Sequence, residues 1–95
     1  MRNYEVAFIA HPELDEASLN VLVEKAKVWV SATGGQVTQV DVWGRRRLAY
    51  PIHKQHEGQY ILMQTQMNAA ATHEVERNLR LTEQVMRFQI VRTDA

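Results

Sequence analysis

Apolar residues change their spacing along this chain in a fixed order, and that order constrains the fold more than any other feature. A period of two puts side chains on alternate faces of a strand, whereas spacings of three and four put them on one side of a helix. Residues 4–10 (YEVAFIA) alternate, Tyr4, Val6 and Phe8 against Glu5, Ala7 and Ile9, and His11-Pro12 ends the run because proline cannot continue a central ladder. From the N-cap residue Asp15 the spacing turns helical: Leu19, Leu22, Val23, Ala26 and Trp29 or Val30 share a side, until Gly34-Gly35 stops the helix. Residues 36–42 return to strand spacing, with a break between Val37 and Val40 that predicts a bulge. Leu48-Ala49-Tyr50 extends that strand beyond an arginine run, and a polar loop containing His53 and His56 follows.

Gly58 opens the next strand, QYILMQTQM, with Ile61, Met63, Thr65 and Met67 on one face and Tyr60, Leu62, Gln64 and Gln66 on the other. Asn68 is the expected cap of a second helix, with Ala71, Val75 and Leu79 inward. Residues 85–92 close the pattern, with Met86, Phe88 and Ile90 inward and Val85, Arg87, Gln89 and Val91 outward. The order β-α-β-β-α-β is that of the ferredoxin-like fold, an α+β sandwich. Right-handed crossovers place the first and third strands in the middle of a four-stranded antiparallel sheet, with both helices on one face. The other face is then open and half apolar, carrying Ile9, Tyr60, Leu62 and Val91, which points to a partner.

At 95 residues the chain suits a single domain spanning residues 1–95. There is no cysteine, so disulfides and thiolate metal sites are excluded. No apolar run approaches the roughly 20 residues needed to span a bilayer, and the N-terminal residues lack a signal-peptide pattern. The expectation is a soluble cytoplasmic protein without a membrane role. Net charge is +0, yet the charge is unevenly placed. Residues 1–41 carry three cations and six acids, whereas residues 42–95 carry eight and five. Arg45, Arg46, Arg47 and Lys54 fall in one short stretch with no acid between Val42 and Gln55. Such a cluster suits a local anion-binding face.

Catalytic patterns do not emerge. His53 and His56 are the closest histidine pair, but no further ligand set accompanies them, and neither a phosphate-cradling GxxxxGK, a nucleophile elbow nor a GxGxxG is present. Neither a metal, a cofactor nor a small-molecule substrate is expected. RNA-recognition domains share this element order and stack bases on strand aromatics. Here the third strand reads GQYILMQT, with Tyr60 as its single aromatic, and Phe8 faces inward. Base stacking on the open face is therefore not expected. RNA contact would run through arginines to phosphate, would depend steeply on salt, and would need help from a basic partner. Alternation along the strand would point Arg45 and Arg47 one way and Arg46 the other.

Three stretches, RNYEVAFIAHPELD, WGRRRLAYPIHKQHEGQYILMQTQM and VERNLRLTEQVMRFQIVR, resemble the family of bacterial small-subunit ribosomal protein six over essentially the whole chain. The Gly44–Ile52 block, followed by Lys54 and Gly58, carries most of that likeness. One departure is Gln59, which stands where the family has an aromatic directly after the glycine. The resemblance implies a non-enzymatic ribosome-associated protein. It implies binding to the central domain of small-subunit rRNA as a heterodimer with small-subunit ribosomal protein eighteen during platform assembly. Arg46, Arg47, Tyr50, Pro51 and Lys54 stand within or beside the family's block, and Arg2 and Tyr4 match its first strand. The expected RNA contacts are Arg2, Arg45, Arg46, Arg47, Lys54 and Arg87, with Arg2 placed near the arginine run. The expected partner contacts are Tyr50, Pro51, Tyr60, Leu62, Ile9 and Val91. Two competing readings are a homodimeric interaction module joined through Ile9, Leu62 and Val91 without RNA binding, and a small enzyme using His53 or His56.

Overall fold

The computed structural model describes residues 1–94 and orders the elements as β1 (Arg2–Ala10), α1 (Glu16–Ala32), β2 (Gln36–Ile52), β3 (Gln55–Met67), α2 (Ala71–Leu81) and β4 (Val85–Arg92). The strands form one antiparallel sheet in the order β2-β3-β1-β4, so the first and third strands are central. Both helices cover the same face. Val6, Phe8 and Ala10 of β1 and Ile61, Met63 and Met67 of β3 are buried against Leu22, Ala26 and Val30 of α1 and Val75 and Leu79 of α2. Burial of this apolar surface is the main favourable term in a domain of this size.

The caps explain where the helices begin and end. Asp15 Oδ1 accepts the Ser18 N–H at 2.7 Å, fixing the start of α1. That backbone bond holds the Asp15 carboxyl below its ordinary range. Gly34 follows the helix at φ +86°, a left-handed conformation that glycine adopts without a Cβ penalty. α2 starts differently from the expectation. Its cap position is Ala70, and Asn68 contributes only its backbone carbonyl, accepting the Ala71 N–H at 2.9 Å.

Two strands also differ from their periodicity. Between Ile9 and Ala10 the β1–β4 register slips, so Arg87 faces Ile9 and Val85 faces Ala10. The bulge at Met86 turns Val85 inward, and both residues are buried. Val85, expected on the outer face, is therefore a core residue. β2 carries the predicted bulge between Val37 and Gln39, and it runs on through the arginines to Ile52. The segment expected to be a polar loop is mostly strand. Only His53 and Lys54 form the turn, and His56 lies in β3. Ile52 pairs with Gln55, and the turn residues have φ of 48° and 64°, the geometry of a two-residue hairpin whose twist matches its strands.

Candidate nucleic-acid and partner interface

The hairpin of β2 and β3 is longer than the rest of the sheet. β1 ends opposite Gln59, which faces Arg45, so residues 46–58 project beyond it as an arm. Register fixes what each face of the arm carries. Arg45 faces Gln59 and Arg47 faces Glu57 on the helix side, whereas Arg46 faces Gly58 on the side of the open sheet. Lys54 is exposed at the tip. The basic cluster thus wraps both faces and the end of the arm.

Several contacts join the arm to the body. Arg45 Nη2 donates to the Pro12 carbonyl at 2.6 Å, and its Nε lies 4.0 Å from Glu57 Oε2. A hollow of about 430 Å³ on the open face, lined by Ala7, Ile9, Tyr60, Arg87 and Gln89, lies at the foot of the arm. Gln59 is buried, and its amide donates to the carbonyls of His11 at 3.1 Å and Leu14 at 2.9 Å. An aromatic side chain there could not make these two bonds, which tie the start of β3 to the β1–α1 connection. Gly58 is enclosed, since a Cβ there would run into Cγ2 of Ile9 and stand 3.7 Å from Cδ2 of Leu48. Leu48 is correspondingly buried. At the far side, Arg87 of β4 donates through Nη1 to the Tyr50 hydroxyl, with its guanidinium 5.6 Å from the ring centroid. The arm therefore curls across the end of the sheet and is held at β4.

The cations separate into distinct environments. Arg45 is engaged with the body and Arg87 with Tyr50. Arg46, Arg47 and Lys54 are exposed, and none of them takes part in a salt bridge among the described residues. Arg2 does not join them. It pairs with Met67 at the opposite end of β1, about 26 Å of extended strand from Ala10. Arg92 and Asp94 occupy that far end: Arg92 Nε donates to Asp94 Oδ1 at 2.9 Å and lowers the carboxyl's pKa, and the Asn3 N–H reaches Oδ2 at 3.3 Å. The expectation that Arg2 lies near the arginine run is corrected by the register.

On the open face the side chains fall into rows. Gln39, Gln64, Glu5 and Val91 form one, followed by Asp41, Leu62, Ala7 and Gln89. Next comes a row of Tyr60, Ile9 and Arg87, with Gly44 opposite Tyr60, and beyond it Arg46 beside Gly58. The register slips between Val42 and Gly44, where Gly44 takes φ +79°, and Trp43 bulges onto this face. Its ring stacks on Tyr60 at 6.3 Å between centroids and 11° between planes. Trp43 remains 52% exposed. It is the functional candidate that sequence reasoning missed, and its signal was the tryptophan immediately before Gly44. Ile9, Tyr60 and Leu62 are half-buried on the same face, Val91 is exposed on β4, and Tyr50 and Pro51 are exposed on the arm. His53 and His56 have no neighbours that make a metal cluster among the described residues.

The family described as Ribosomal protein S6 matches residues 3–92 of the chain. Over 91 residues the chain is 48% identical to the small ribosomal subunit protein bS6 of Clostridium novyi (strain NT), covering 96% of each protein. It is 45% identical over 92 residues to the bS6 protein of Desulforamulus reducens, covering 97% of each. A crystal structure of 30S ribosomal protein S6 from Thermotoga maritima is similar with a TM-score of 0.92 and 31% identity, covering 97% of this chain and 87% of that one.

Proposed function

The chain belongs to the ribosomal protein S6 family, a structural family without an enzymatic role, and from that membership we propose how it serves the small ribosomal subunit in the cytoplasm. It binds the central domain of small-subunit rRNA through the β2–β3 arm and does so beside small-subunit ribosomal protein eighteen, which meets the open sheet face. The observation that carries this reading is the arm itself. Arg46, Arg47 and Lys54 leave it on two faces and the tip, with no carboxylate partner among the described residues. An arm with cations on both sides fits between two rows of phosphates better than on one flat strand. Arg87 lies at the base, where it fixes the arm through Tyr50 and adds positive charge. Arg2 contributes to RNA contact only as a separate point at the far end of the sheet.

The small number of disengaged cations limits affinity for RNA alone, because each neutralised phosphate adds only one counterion-release contribution. A second RNA-binding protein on the same site supplies the rest. Salt-titrated binding to a central-domain rRNA fragment, with and without protein eighteen, tests this. Binding that requires the partner and weakens steeply with salt is expected. Equal binding with and without the partner, or none in either case, would sink the cooperative reading.

A further inference from the structure

The outer side of α1 is apolar where a surface helix is ordinarily polar. The helix buries Leu19, Leu22, Val23, Ala26 and Val30 against the core. At about 100° per residue, the side opposite that stripe carries Ala17, Val21, Glu24, Lys25, Val28 and Ala32. All six are exposed, Val21 to 56% and Val28 to 59%. The two valines border a shallow hollow of about 430 Å³ that Trp29 also lines. Apolar side chains gathered on one exposed helix side mark a surface that meets another molecule.

These six residues are arranged symmetrically along the helix. About the midpoint between Glu24 and Lys25, Ala17 mirrors Ala32, Val21 mirrors Val28, and the acid mirrors the base. We propose that this side of α1 pairs with α1 of a second copy of this chain, antiparallel about a two-fold axis at that midpoint. Val21 of each copy then meets Val28 of the other, and Glu24 of each meets Lys25 of the other, so two apolar contacts and two ion pairs form together. Alanines at both ends let the helix backbones approach closely. A parallel pairing would set Glu24 against Glu24 and Lys25 against Lys25. Lys25 has no salt bridge among the described residues, and Glu24 accepts from Lys27 at 3.1 Å through one carboxylate oxygen, leaving the other for the second copy. RNA is a poorer occupant, because a phosphate drawn to Lys25 meets Glu24 beside it. A polypeptide of one charge sign would satisfy only one of the two groups. One helix pair buries little surface, so the dimer is weak and forms at high local concentration. α1 covers the face of the sheet opposite the open one, so this contact leaves the open face and the arm free and is independent of the rRNA-binding reading.

Sedimentation equilibrium of the full chain, over a wide concentration range and at low and high salt, is the test. A monomer–dimer equilibrium that weakens with salt is expected. Glu24→Lys and Lys25→Glu each turn two ion pairs into two repulsions, and each is expected to weaken the dimer about tenfold. The two single variants mixed together should associate at least as well as the parent, because one copy then presents only cations at these positions and the other only acids. The swap of Glu24→Lys with Lys25→Glu in one chain should restore dimerisation, because the pairs form again in reverse. Val21→Ser with Val28→Ser is expected to leave the chain monomeric. Circular dichroism should show every variant folded, since all four positions are exposed. A parent chain that stays monomeric at every concentration overturns the inference, as does a dimer that neither single charge variant weakens. A dimer dispersed by Leu62→Asp but not by the α1 variants assigns self-association to the open sheet face and overturns it. Amide NMR shifts within residues 17–32 on addition of the rRNA fragment or of protein eighteen to the monomeric chain assign this side of α1 to that molecule and overturn it as well.

Discussion

At the residue scale, the arginine run is three different residues. Arg45 commits its guanidinium to the Pro12 carbonyl and to Glu57, while Arg46 and Arg47 face opposite ways and have no tie to the body, Arg46 Nη1 donating only to the adjacent Arg45 carbonyl at 3.2 Å. Arg46→Ala combined with Arg47→Ala is expected to weaken rRNA binding and to lower the slope of log K against log salt by roughly one for each phosphate contact removed. Thermal unfolding should be unchanged, because both side chains are exposed. A folded double variant that binds at every salt concentration as the parent does would count against these two residues. Their cationic nature was legible in the sequence, and so was their alternation. The engagement of Arg45 was not, because Pro12 reaches it only through the packing of the β1–α1 connection against the arm.

At the element scale, the arm is a continuous hairpin where its polar composition suggested a loop. Strand propensity is a weak guide for a segment whose pairing partner supplies the ladder, and β3 supplies it here from Gln55 onward. The turn is costly for its sequence. His53 and Lys54 both hold positive φ, which non-glycine residues adopt at a penalty. The double variant His53→Asn with Lys54→Gly, which installs the preferred residues of such a turn, is expected to raise stability by roughly 1 kcal/mol in urea unfolding. The same variant should bind rRNA more weakly, since the tip cation is gone. A gain in both properties would show that Lys54 touches no phosphate. The separation of the two effects would mark the turn as a place where function outweighs local preference.

For the whole molecule, two carboxyls at different ends tie acid stability to local geometry. Asp15 is lowered chiefly by the Ser18 backbone bond, and Asp94 chiefly by its side-chain bond with Arg92. In each case the folded form holds its proton less tightly than the unfolded form. Their contribution is therefore present above the ordinary value of 3.8 and is lost as pH falls through the depressed folded values. Urea midpoints measured from neutral pH downward should decline below that point. In a variant combining Asp15→Asn and Asp94→Asn the decline should be shallower, because asparagine still accepts hydrogen bonds but does not titrate. Identical pH curves for parent and variant would remove these two groups from the acid response.

Sequence alone determined the element order, the inward faces of β1 and β3, the cap at Asp15, the stop at Gly34 and the family. Each depends on neighbours within a few residues or on a pattern repeated along one element, and such information is written locally. Tertiary structure alone decided that Arg2 lies away from the arm, that Val85 is in the core, that Arg87 meets Tyr50 and that Trp43 stacks on Tyr60. Each of these turns on strand register, and at the Val85 and Trp43 positions a bulge shifts it. One residue of slip sends a side chain to the other face, and no local pattern shows which residue the partner strand will leave unpaired.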